Sequence, residues 1–65
     1  MYEVISRLVV GAKYQNTLVD VISVLGGEVA NLSLEAKDRL RRYFGHHRPE
    51  AGWQKSILEA WKALQ

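Results

Sequence analysis

Cysteine is absent from all 65 residues of this chain, so its fold has to be held together by side-chain packing alone. No disulfide can constrain the chain, and no zinc site built from thiolates can stabilise it. Chains of about this length bury only roughly 60% of the surface that they expose when unfolded. An apolar content of 48% supports one small core, and association of identical chains would enlarge that core. We therefore expect a single domain, residues 1–65, that forms a homo-oligomer.

Two segments carry the apolar spacing of amphipathic helices. The first is 17–26, where Thr17 and Asp20 have the spacing of a capping box and Gly26 provides the stop. The second is 53–64, whose apolar side chains recur every three or four residues: Trp53, Ile57, Ala60, Trp61 and Leu64.

Two further segments are more ambiguous, and we interpret both as strands. Residues 2–10 are rich in β-branched side chains, which favour a pleated surface. The same residues also fit helical spacing, with Glu3 and Arg7 as an i,i+4 pair. Residues 28–34 alternate between apolar and polar side chains, as a half-buried strand does. A strand, a helix and a second strand in this order predict a βαβ unit.

Residues 38–44 have two interpretations. As a strand they would pair with 28–34 through a short turn. As a helix they would follow Ser33, a favourable N-cap residue, and end near Gly45. The predicted fold class is therefore α+β, a βαβ unit followed by a third short strand or helix and a C-terminal amphipathic helix. The alternative is an all-α four-helix bundle with the same boundaries.

Charge is distributed unevenly along the chain. Residues 1–36 carry two basic and four acidic side chains, whereas residues 37–65 carry seven basic and three acidic ones. Within 37–55 the cations are interleaved with aromatic rings, a pattern that suits phosphate groups and stacked bases. We predict the ligand-binding residues to be Arg39, Arg41, Arg42, Tyr43, His46, His47, Arg48, Trp53 and Lys55.

The paired histidines, His46 and His47, do not predict an enzyme. Adjacent side chains seldom aim at one point, and a metal site would need further ligands at a recognisable spacing. A phosphate-binding glycine loop and a nucleophile elbow are both absent from the sequence. We expect no catalytic residue, no metal and no cofactor. A helix-turn-helix over 18–44 is disfavoured by bulky Ile22 and charged Glu35 at positions that are usually small and apolar.

These features predict a non-enzymatic module that binds nucleic acid or a phosphorylated anionic ligand. The alternative hypothesis is a small regulator or inhibitor, of a viral or bacterial type, that docks on an acidic protein surface. The start of the chain lacks the basic n-region of a signal peptide. No apolar run approaches the roughly 20 residues of a membrane span. We therefore expect a cytoplasmic protein with no membrane partner.

Overall fold

The structure is a computed structural model that describes residues 1–47 and 53–65, and every regular element in those two ranges is helical. The order of elements is α1 (Tyr2–Val10), α2 (Gln15–Leu25), a 3₁₀ helix (Gly26–Asn31), α3 (Leu34–His46) and α4 (Lys55–Ala63). The α+β prediction with its βαβ unit is therefore wrong, and the all-α alternative fits. The four α-helices correspond to segments 2–10, 17–26, 38–44 and 53–64 of that alternative, with shifted ends.

Residues 2–10 form a helix and not the predicted strand. Val9 is fully buried and Ile5 packs against the core one turn earlier, so the inward side chains follow helical spacing. On the exposed side Arg7 and Glu3 form the i,i+4 ion pair at 2.8 Å. A helix satisfies its own backbone hydrogen bonds, whereas a strand needs a neighbouring strand to do so. In the described residues no such neighbour exists, and this outweighs the β-branched composition.

Residues 28–34 were also expected to be a strand, and they belong instead to the 3₁₀ helix, the turn that follows it and the first residue of α3. Val29 and Leu32, three positions apart, are buried, while Leu34 is exposed. Gly26 starts the 3₁₀ helix with a φ of 55°, a backbone conformation that glycine adopts without a steric penalty. The turn at Gly26 orients the 3₁₀ helix toward α4, and α4 is the element that the 3₁₀ helix contacts most extensively.

The helical interpretation of 38–44 is confirmed, and α3 is longer than that segment. Ser33 is its N-cap residue, and the Ser33 Oγ accepts a hydrogen bond from the Ala36 N–H at 3.3 Å. Leu40 and Phe44 point into the core. The helix continues through Gly45 and ends at His46.

The two predicted amphipathic helices are confirmed as α2 and α4. The first begins earlier than expected, with Tyr14 at the N-cap position, so Thr17 lies inside the first turn and the predicted capping box is wrong. The connection between α2 and α3 covers residues 26–33 and contains the 3₁₀ helix. It is longer than the three or four residues of a helix-turn-helix, so that arrangement does not occur here.

One core joins the helices: α1 packs mainly on α3, while α2 packs mainly on α4. No helix in the described part of the chain has both the length and the apolar character needed to cross a membrane. The buried apolar side chains are Val9, Leu18, Val21, Ile22, Val29, Leu32, Ala36, Leu40, Phe44, Ala60 and Leu64.

Candidate functional site

The C-terminal half of α3 and the start of α2 border a shallow groove of about 180 Å³. We call it the basic groove, because among the described residues that line it none is acidic and four carry guanidinium or imidazole groups. Its lining consists of Gln15, Leu18, Arg39, Arg42, Tyr43, His46 and His47. The groove thus gathers five of the nine predicted ligand-binding residues.

Helical geometry explains why three of the groove's polar side chains lie in line. Arg39, Arg42 and His46 are separated by three and four positions, so they share one side of α3. At a rise of 1.5 Å per residue, the stripe is roughly 10 Å long. Arg42 and His46 are exposed, whereas Arg39 is half-buried. The opposite side of α3 faces the core through Leu40 and Phe44.

Acidic side chains are confined to the N-terminal part of α3. Glu35 and Asp38 border a neighbouring depression of about 170 Å³ that also includes Arg39 and Arg42. Within the described ranges, however, neither of these two arginines forms an ion pair, and the Asp38 carboxylate is bound by Arg41. The positive charge of the basic groove is therefore least compensated toward the end of α3.

Arg41 is separated from the groove by its position on the helix. Its Nε donates a hydrogen bond to the main-chain oxygen of Leu64 at 2.8 Å, and its Nη1 lies 2.7 Å from Asp38 Oδ1. Leu64 is the C-cap residue of α4, where carbonyl groups lack partners within the helix. Arg41 thus ties α3 to the end of α4, and its guanidinium is already occupied.

Two aromatic contacts shape the wall of the groove. The Tyr43 and His47 rings are stacked, with centroids 4.8 Å apart and an interplanar angle of 25°. Tyr43 also meets the buried Phe44 edge-on at 5.5 Å. One face of Tyr43 is therefore covered by an imidazole, and an incoming planar group would stack on the outer face of His47 or displace it.

The remaining predicted residues lie elsewhere. Trp53 packs against the core, with its ring centroid 6.5 Å from that of Phe44, and it is half-buried. Lys55 is exposed as the first residue of α4 and does not line the groove. Arg48 lies outside the described residues.

Gln15 was not predicted as a site residue, although it opens α2 directly beside the basic side chains. The first turn of α2 holds no acidic residue, and no side chain of the described residues caps its N–H groups. These groups carry the positive end of the helix dipole, so they add to the charge of the arginines. Helical spacing in the sequence did not predict that Gln15 lies at the groove, because Thr17 suggested a later start of α2.

A cleft of about 630 Å³ was not predicted from the sequence either. It lies between α1 and the chain around Ser33, and its lining includes Tyr2, Ser6, Arg7 and Glu35. Ser6 Oγ accepts a hydrogen bond from the Ser33 N–H at 2.9 Å, and no histidine among the described residues lines the cleft. In the described residues no three acidic or histidine side chains are arranged to hold a metal ion.

No family model matches the chain, and no curated protein or solved structure does either.

Proposed function

We propose that this domain is a non-enzymatic module that binds nucleic acid through the basic groove. Arg39 and Arg42 contact backbone phosphates, and His46 donates a further hydrogen bond. The stacked pair of Tyr43 and His47 offers a planar surface to an unstacked base. Arginine suits this role because its rigid fork of donors matches the geometry of phosphate oxygens.

The observation that carries the proposal is the stripe of Arg39, Arg42 and His46 in a groove without acidic side chains among its described lining residues. A helix surface with balanced charges places carboxylates three or four positions from its cations. On α3 Glu35 and Asp38 lie four positions before Arg39 and Arg42, but in the described residues neither of these arginines forms an ion pair, and no carboxylate on α3 follows Asp38. The stripe extends over roughly 10 Å, from half-buried Arg39 to exposed Arg42 and His46, and this length spans more than one phosphate of a polynucleotide.

The size of the groove favours an extended ligand over a small phosphorylated molecule. Sites for small molecules usually enclose about 300–1,000 Å³, and the described residues of the basic groove enclose about 180 Å³. A polynucleotide needs no enclosure, because it can lie along the surface and use successive phosphates. Nucleic acid is therefore the ligand to test first.

The expected binding is weak and depends on salt. Two or three phosphate contacts release few counterions, and non-specific binding of this kind has a Kd of roughly 10⁻⁴ to 10⁻⁶ M. Each contact lowers the logarithm of the association constant by about 0.7 for single strands, or 0.9 for duplex DNA, per tenfold increase in salt. The slope of the logarithm of the association constant against the logarithm of the salt concentration therefore gives the number of phosphate contacts.

Fluorescence anisotropy with labelled short single-stranded RNA, single-stranded DNA and duplex DNA, between about 50 and 200 mM salt, tests the proposal. The informative variant is R39A/R42A. Its matched control is R7A/K62A, which removes the same charge from exposed positions outside the groove. We expect R39A/R42A to weaken binding at least tenfold and to lower the salt slope by about 0.7 per arginine on single strands. We expect the control to retain most of the affinity.

Two results would contradict the proposal. Equal losses in both double variants would mean that net charge alone, and not the groove, determines binding. A wild-type protein that binds none of the three nucleic acids would exclude them as ligands. Binding of poly-glutamate in their place would favour an acidic protein surface as the partner.

A further inference from the structure

The stacked rings of Tyr43 and His47 lie beside the cationic stripe of the basic groove. Tyr43 follows Arg39 by four positions and precedes His46 by three, so it is a helical neighbour of both. Side chains at these spacings have Cβ atoms about 5–6 Å apart. His47, the C-cap residue of α3, lines the same groove. The groove therefore holds a flat ring surface within one side-chain length of its cations.

The two rings are already fixed in place in the protein without a ligand. Tyr43 is half-buried, and its ring meets the buried Phe44 edge-on at 5.5 Å. The His47 N–H donates a hydrogen bond to the Tyr43 carbonyl at 3.0 Å, and the imidazole stacks on the phenol at 4.8 Å. Among the described residues, Tyr43 is the one ring in contact with His47. Side chains that are ordered in advance lose little conformational freedom when a ligand binds.

We infer that the basic groove selects single-stranded nucleic acid over duplex, an inference that rests on the proposed function. In a single strand a base can leave its neighbours and lie on an aromatic ring, while the adjacent phosphates contact Arg39 and Arg42. In a duplex both faces of each base are covered by neighbouring base pairs, and only the base edges are exposed in the grooves. The outer face of His47 therefore contributes to the binding of a single strand and not to that of a duplex.

The cations alone would give the opposite preference. Each phosphate contact depends more steeply on salt for duplex DNA than for single strands, with slopes of about 0.9 and 0.7, because the duplex has the higher charge density. Stacking of one base on an aromatic side chain strengthens binding roughly five- to 150-fold. This gain exceeds the advantage that two or three phosphate contacts give to the duplex. We therefore expect single strands to bind at least about threefold more tightly.

Two substitutions of His47 separate ring stacking from hydrogen bonding. H47F keeps a flat ring and H47L removes it, while neither side chain can donate to a phosphate. Fluorescence anisotropy compares a single strand with its own duplex, after circular dichroism has shown that both variants are folded. We expect H47L to lose about fivefold or more on the single strand and less than twofold on the duplex, so that the preference disappears. H47F should bind the single strand within about twofold of the wild type.

The wild-type protein provides a test that needs no substitution. A single strand whose bases are replaced by abasic sites keeps its phosphates and loses the groups that stack. We expect the wild type to bind this abasic strand about fivefold or more weakly than the intact strand, and H47L to bind both equally. A strand that carries 2-aminopurine should lose fluorescence on binding, because stacking quenches this base.

The outcomes distinguish this inference from the proposed function. Equal binding of intact and abasic strands by the wild type, a duplex that binds as tightly as the single strand, or an H47F variant as weak as H47L would overturn the selection of single strands. The proposed function would survive each of these results if R39A/R42A still abolished binding. A wild type that binds neither single strands nor duplex would overturn both.

Discussion

Arg41 and Leu64 connect α3 to the end of α4: the Nε of Arg41 donates to the Leu64 main-chain oxygen at 2.8 Å. The same guanidinium binds Asp38 at 2.7 Å. The next residue, Arg42, lines the basic groove and has no ion-pair partner among the described residues. Two adjacent arginines of one helix therefore have separate roles, the first in stability and the second in the proposed binding.

The first prediction concerns stability. R41A removes a charge-assisted hydrogen bond to the end of α4 and a favourable cation near its C-terminus, so we expect the free energy of unfolding to fall by about 1 to 2 kcal/mol. The 44% exposure of the side chain keeps the loss below that of a buried pair. R42A should change the free energy of unfolding by less than about 0.5 kcal/mol. Urea denaturation followed by circular dichroism measures both, and equal losses would contradict the assigned roles.

The second prediction concerns the glycine pair. Gly26 has a φ of 55°, whereas Gly27 has no positive φ. Apart from its chain neighbours and the nearby backbone of its own helix, no atom of the described residues lies within 4 Å of where the Cβ of an alanine at position 27 would be. G26A should therefore destabilise the protein by about 1 kcal/mol or more through backbone strain, and G27A should be close to neutral. A Cβ at Gly26 would meet Ser56 at an ordinary contact distance of 3.5 Å, so the strain and not a clash is responsible. Equal melting temperatures for the two variants would contradict this explanation.

The third prediction concerns high pH. The Tyr2 hydroxyl donates a hydrogen bond to Glu28, and this bond, with desolvation and the negative charge of Glu28, raises the pKa of Tyr2 above its ordinary value. A raised pKa in the folded state favours the protonated phenol. Its contribution to stability is complete below about pH 10 and is lost as the pH rises through the raised pKa. We expect stability to fall more steeply above about pH 10 in the wild type than in Y2F.

A spectrophotometric titration of tyrosinate checks the assignment. Y2F should lack the component whose pKa is raised, and Y14F should retain it, since Tyr14 takes no part in the hydrogen bond between Tyr2 and Glu28. A titration curve of Y2F that still contains this component would show that another tyrosine is responsible.

The sequence predicted the helices with clean apolar stripes and failed where β-branched composition suggested strands. In α1 the helical spacing of Ile5 and Val9 and the Glu3–Arg7 pair were visible in the sequence, but they competed with a strand preference. That preference carries weight only when a neighbouring strand exists. In 28–34 alternation placed Leu32 and Leu34 together, whereas the turn after Gly26 buries Val29 and Leu32.

The composition of the candidate site was easier to predict than its arrangement. The basic and aromatic segment indicated which residue types would meet, and helical spacing alone pairs Arg39 with Arg42. Arg41 does not join Arg39 and Arg42 in the groove, because its guanidinium binds the Leu64 carbonyl. The position of that carbonyl depends on how α4 packs, which the sequence did not reveal. The same holds for Gln15, which reaches the groove through the docking of α2.

The binding of labelled single-stranded RNA by R42A and by R41A, measured side by side at low salt, is the most direct test of the proposed function. Both variants lose one positive charge from neighbouring positions of the same helix. The predicted result is a clear loss of affinity, several-fold or more, for R42A and less than twofold for R41A under conditions where both are folded. Equal losses, or a greater loss for R41A, would contradict the assignment of the basic groove as the binding surface.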